Sequence, residues 1–395
     1  MRIQRRMLLA GGALTVVAAL SAVAVAQAST TASTASGTTA VATAGRRLEP
    51  ARASALSGLS AAQLAGQRVI YSYSGLNPPA SLISLIQHGE AAGVIFFGQN
   101  IASKTQIAAV IKRLRQADAS SLNPVRQPLL LMTDQEGGEV RRLPGAPVLS
   151  EKQIGARPLA QAKTLAAQAG RGAAANLRSV GMNVNLAPVL DVYRQAGDFD
   201  DQYGRSYSQS ASVAATLGVT MIKAQQADRV AATAKHFPGL GAAAASQNTD
   251  VQPVTLNVPL ATIRSRDEAP FRAAIGAHVK LIMLSWAVYP SIQRLPAGLS
   301  PKVVQGELRG RLKFTGVTIT DALEAGALRA YGGTQNRAVL AAKAGMDLIL
   351  ASSQDVAQGK QALDALAAAY SRGTLSRTTF LASVNRVIAL RKSLG

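Results

Sequence analysis

The 395-residue chain contains no cysteine, which excludes disulfides, thiolate metal ligands and a lipid-bearing cysteine. Histidine is nearly as scarce, with His88, His236 and His278 the only three. Aromatic residues make up 4% of the chain and do not interleave with its dispersed basic residues, so a nucleic-acid partner is not expected. Acidic residues are outnumbered, 21 against 42 Lys and Arg, for a net charge of +21. Such a surface suits anionic partners such as wall polymers or lipid headgroups, although general solubility accounts for it equally well. The charged fraction is 16%, below what keeps a chain disordered.

What is abundant is small and apolar. Hydrophobic residues reach 48%, enough for one large core, and the plentiful alanine suits helices packed through small side chains. At the N-terminus Arg2, Arg5 and Arg6 precede an apolar run from Met7 to Ala26, and Ala26-Gln27-Ala28 has the A-x-A form of an export-signal cleavage site. The alternative is an uncleaved membrane anchor, since about 20 apolar residues can span a bilayer. The Thr/Ala/Ser-rich stretch that follows reads as a flexible tether. The expected organisation is a signal peptide over residues 1–28, a linker over 29–56 and a folded domain over 57–395.

From Leu56 onward short apolar runs alternate with helical patterns. Candidate strands are Arg68–Ser72, Gly93–Phe97, Pro128–Thr133, Asn183–Leu190, Ala231–His236, Leu281–Ser285, Gly316–Thr320 and Asp347–Ala351. Helical stretches include Thr105–Ala117, Ala160–Val180, Ala211–Ala227 and Arg337–Ala344, with Gln354–Ala369 and Leu375–Leu394 closing the chain. Continuously apolar strands separated by helices indicate a parallel sheet covered on both faces. Eight of them suggest an α/β fold of the (β/α)8 barrel type. An open doubly wound sheet is the alternative, but no Gly-rich dinucleotide loop follows the first strand.

Barrel chemistry sits where strands end. Those ends carry Asp134-Gln135-Glu136-Gly137-Gly138 followed by Arg141 and Arg142, then Asp191, then Lys235 and His236, then Asp321. Singly, a strand-end Asp is a helix cap and a Gly-Gly pair is a turn. Together they point to an enzyme of polar substrates. His88 and His278 each precede a strand, which puts them toward the opposite face.

The segments GVIFFGQNI (93–101), TDQEGGEVRRL (133–143), NLAPVLDV (185–192), GRSY (204–207), KHFPG (235–239) and GVTITDAL (316–323) occur in that order. As a set they resemble the N-terminal barrel of glycoside hydrolase family 3, in particular its single-domain β-N-acetylglucosaminidases, some of which process peptidoglycan. The resemblance implies a β-glycosidase of carbohydrate, cell-wall material included, that retains anomeric configuration and needs no cofactor or metal. It implies Asp321 as the nucleophile. It also implies that Asp134, Arg142, Arg205, Lys235 and His236 bind the terminal sugar.

The chain departs from the family pattern after KHFPG. The branch continues His-Gly and, four residues on, Asp-Ser-His, whose His and Asp form the general acid/base dyad. Here Leu240 takes the first position and Ser246-Gln247-Asn248 take the last three. Ser and Asn do not titrate near neutrality. In the family's two-domain branch a second domain supplies the acid, but this chain ends at Gly395, a few turns past the barrel, so that source is not expected either. Three readings follow: Asp250 replaces the dyad as acid/base, the protein uses only activated leaving groups or a partner-supplied acid, or it is a sugar-binding pseudoenzyme. In the first reading Gly239–Asp250 is a mobile lid. Its Leu240 and alanines close over the substrate and bring Asp250 about 5–5.5 Å from Asp321, as retention requires.

Overall fold

Short runs of β-branched and aliphatic residues become strands here because helices cover one face of each and apolar barrel neighbours the other. In the computed structural model, which describes Leu56 and residues 58–395, eight such strands form one parallel sheet. They are β1 (Val69–Tyr71), β2 (Gly93–Ile95), β3 (Leu130–Thr133), β4 (Val184–Asn185), β5 (Ala231–Phe237), β6 (Leu281–Leu284), β7 (Val317–Thr320) and β8 (Ile349–Leu350). The strand order is β7-β6-β5-β4-β3-β2-β1-β8. A parallel bridge between Ile319 and Leu348 joins the two ends and closes the ring. The fold is a (β/α)8 barrel, and each of the eight candidate strands falls where expected.

The expected signal peptide and all of the expected linker except its last residue lie outside the described residues. That last residue, Leu56, is buried in the apolar core. No helix among the described residues is long and apolar enough to cross a membrane.

The core has two layers. Ile70, Leu130, Met132, Val184, Leu281, Met283, Val317 and Ile319 fill the barrel. Their neighbours Tyr71, Leu131, Ile282 and Leu284 belong to the layer between sheet and helices. This is the period of two expected of strands buried on both faces. Outside the sheet, α1 (Leu159–Val180) and α2 (Ala211–Ala227) lie in close contact. A Cβ added at Gly170 would stand 2.5 Å from the Met221 carbonyl oxygen, so alanine and glycine set this helix separation. Helix α2 starts where expected because the Ser210 side chain caps it, accepting from the Val213 amide.

Candidate active site

The same alternation that fills the barrel aims its polar mouth. On β3, Leu130 and Met132 point inward, and Asp134 is the next residue of that parity. On β5 the series is Ala231, Thr233, Lys235, and on β7 it is Val317, Ile319, Asp321. Asp134, Lys235 and Asp321 thus stand one step above the apolar layers, all lining a cavity of about 470 Å³. Arg142, Arg205, His236 and Asp250 line it as well, so the structure brings together every residue expected at the site. His88 and His278 lie away from this cavity.

Its floor is a chain of alternating charges. The Lys235 ammonium lies 2.8 Å from Asp134 and 2.7 Å from Glu136. Arg205 donates to both oxygens of Glu136, at 2.9 and 3.0 Å, and its remaining nitrogen donates to Asp200 at 3.0 Å. Burial would raise the Glu136 pKa, but Arg205 and Lys235 overcome it and hold the carboxyl at about 2. The short hairpin of Gln135–Gly137 with Val140–Arg141 makes this possible. In it Glu136 faces the cavity while the Gln135 side chain turns away to the Leu143 and Ala146 carbonyls. Arg142 contributes a buried Nε with no partner, a donor left over for a ligand.

Glu136, Asp191 and Asp200 carry parts of the site that sequence reading did not assign. Asp191 ends the β4 segment and accepts from the His236 imidazole Nδ1 at 2.7 Å, the His236 amide at 3.2 Å and the Leu240 amide at 2.5 Å. Burial, then the nearby Arg205 charge, pushes the His236 pKa down to about 4, so the ring is neutral near neutrality and unsuited to be the missing proton donor. Asp200 is buried, and its Oδ2 has no donor partner. Burial and the adjacent Asp191 raise the Asp200 pKa to about 7. Asp191, Asp200 and His236 bring ligand atoms within 4.8 Å of one another, the donor types of a metal site. Both Asp191 oxygens, however, already accept N–H donors from His236 and Leu240, whereas Asp200 Oδ1 accepts from Arg205 and its Oδ2 is left unpartnered.

Asp321 and Asp250 line the same cavity as this floor. The Asp321 carboxylate accepts the Ala322 amide at 2.7 Å. Burial first, then the Asp250 charge, raises its pKa to about 6. Asp250 has an exposed edge at the rim, yet the confinement of its carboxyl in the mouth moves its pKa up too. The 239–250 segment that carries it is pinned along its length, unlike the expected mobile lid. Tyr289 donates to the Gly239 carbonyl at 2.9 Å, the Phe199 amide to Ala243 at 2.9 Å and Gln202 to Ala245 at 2.8 Å. The Gly326 and Ala327 amides donate to the Asp250 and Thr249 carbonyls at 2.7 and 3.0 Å. Of the residues expected to close over a substrate, Ala243 is instead buried in the core, and Leu240, packed into the core as well, forms part of the cavity wall.

Comparison with known proteins agrees with this geometry. The model of the glycosyl hydrolase family 3 N-terminal domain matches residues 60–390. The chain belongs to glycoside hydrolase family 3. It is 45% identical to an uncharacterized secreted glycosyl hydrolase of Arthroderma benhamiae, across 84% of this chain and 93% of that one. It is 32% identical to a β-hexosaminidase of Xanthomonas axonopodis pv. citri, across 70% and 81% of the two chains. The solved structure of a family 3 β-N-acetylglucosaminidase from Paenibacillus superimposes with a TM-score of 0.79 at 36% identity. That match covers 85% of this chain but 63% of the Paenibacillus chain, which is the longer protein.

Proposed function

We propose that this family 3 barrel is a secreted or envelope-associated retaining glycosidase acting on terminal β-linked N-acetylhexosamines, cell-wall fragments included. The secreted Arthroderma relative and the N-terminal export pattern support that location. The β-hexosaminidase and β-N-acetylglucosaminidase neighbours support the sugar class. Asp321 attacks the anomeric carbon, and the leaving-group oxygen takes a proton from Asp250. In the second half-reaction Asp250 takes a proton from water, which displaces Asp321 from the same carbon. Asp134 and the free donor of Arg142 hold sugar hydroxyls, while Lys235, Arg205 and His236 keep the floor charged and fixed.

The observation that carries this reading is that Asp250 and Asp321 line one mouth, with the Asp250 backbone strapped there by the Gly326 amide. Leaving-group chemistry tests it. Asp250→Ala should lose about 10²–10⁴-fold on disaccharides, the usual contribution of general acid catalysis, and far less on nitrophenyl glycosides. Azide should partly restore its deglycosylation as a glycosyl azide. Equal activity of variant and parent on both substrates would remove Asp250 from the reaction. A parent that binds N-acetylhexosamine but turns over neither substrate would instead be a sugar-binding pseudoenzyme.

A further inference from the structure

We infer that Tyr203 is the floor of a leaving-group subsite, a flat aromatic platform for the second pyranose ring of a β-linked glycan. Tyr203 is the only aromatic among the exposed large hydrophobic side chains of the described residues, at 43% exposure, and it lines the same cavity as Asp321. A chain with 4% aromatics that leaves one such ring wet at the mouth of a polar cavity exposes a ligand surface there. The ring is not loose. It packs edge to face on the buried Phe199, with centroids 5.7 Å apart at 78°.

Its position selects the subsite. Tyr203 follows the helical turn Phe199–Gln202, whose Phe199 amide and Gln202 side chain bond to Ala243 and Ala245 on the segment that carries Asp250. A protonating acid stands beside the leaving group, so the wall that shares its segment flanks the leaving group too. Two residues further on, the turn at Gly204 drops Arg205 to the charged floor that underlies the terminal-sugar side of the cavity. Pyranose rings present axial C–H faces, and the face of a tyrosine is the surface that matches them. The substrate class that follows is an oligosaccharide or glycoconjugate whose leaving group is itself a sugar, rather than a simple alkyl glycoside. This assignment rests on Asp250 marking the leaving-group side, so it is tested by binding, independently of turnover.

Calorimetry on the Asp321→Asn protein, with N-acetylglucosamine and its β-1,4-linked disaccharide as probes, decides it. Adding Tyr203→Ala should weaken the disaccharide about tenfold, the size of an aromatic contact of roughly 1.4 kcal/mol, and leave the monosaccharide unchanged. Tyr203→Phe and Tyr203→Trp should retain disaccharide affinity. Equal weakening of both sugars, or of neither, would overturn the subsite. Failure of the hydrolase reading shows separately, as absence of turnover by the parent protein.

Discussion

Two carboxyl groups in one mouth must hold different protonation states at the same pH. Asp321 has to be ionised to attack and Asp250 protonated to donate. Their proximity serves this, because whichever ionises first raises the pKa of the other. The active form keeps one proton on the pair. The Asp321 value of about 6 includes the push of an ionised Asp250, so it marks loss of the second proton, and the basic limb of kcat/KM should lie near it. Asp250→Asn removes the second largest cause of that rise, so on nitrophenyl substrate the basic limb should vanish and the acid limb, set by Asp321 alone, should remain. A basic limb that persists near pH 6 in the variant would show that it does not belong to this pair. Asp321→Asn is nearly isosteric, so it should abolish turnover with an unchanged melting temperature. The charged floor behaves differently. Lys235→Ala leaves Glu136 and Asp134 without their ammonium, and sugar binding should weaken by about 2–5 kcal/mol in calorimetry. Asp134, Lys235 and Asp321 were legible in the sequence because each ends an apolar strand run. Glu136 and Asp191 stand at strand ends but were given no role, because their partners Arg205 and His236 lie 69 and 45 residues away, and Asp200, five residues from its partner Arg205, ends no strand.

At the scale of elements, the loop from Gly239 to Asp250 shows where sequence reading falls short. Its small residues suggest mobility, but mobility depends on whether backbone groups find partners elsewhere, and here Phe199, Gln202 and Gly326 supply them. Gly326 is the informative position. A Cβ there would meet the Val251 carbonyl oxygen at 2.1 Å and the Asp250 carbonyl oxygen at 3.0 Å, so alanine must push the strap away. Gly326→Ala should reproduce the kinetic signature of Asp250→Ala, a larger loss on disaccharides than on nitrophenyl glycosides, because Asp250 is displaced while Asp321 stays in place. Equal losses on both substrates would mean that the strap supports the barrel rather than the acid. The strands, by contrast, were legible in number and place, because a segment buried on both faces needs an unbroken apolar run, although the run at Asn183–Leu190 pairs as a regular strand only over Val184–Asn185.

Over the whole molecule, buried carboxyls tie stability to pH. Asp200 and Asp191, raised to about 7 and about 6, bind protons more tightly folded than unfolded, so their contribution is complete below the unfolded carboxyl range and is lost as pH rises through 6 to 7. His236, lowered to about 4, acts in the opposite sense, and its contribution is complete above the unfolded imidazole value of about 6.5. Between pH 6.5 and 8.5 the carboxyls alone set the slope, and the melting temperature should fall by roughly 2–4 °C per kcal/mol lost. Asp200→Asn should flatten that slope; an equal slope in the variant would place the titrating group elsewhere. The central claim is that this barrel forms a covalent glycosyl–enzyme intermediate on the carboxylate that β7 aims into its mouth. Incubation with a fluorinated N-acetylglucosaminyl donor that deglycosylates slowly, followed by peptide mapping, tests it most directly. The account predicts one adduct per chain, on the peptide containing Asp321, absent from Asp321→Asn; an adduct on any other residue, or turnover with none, would contradict it.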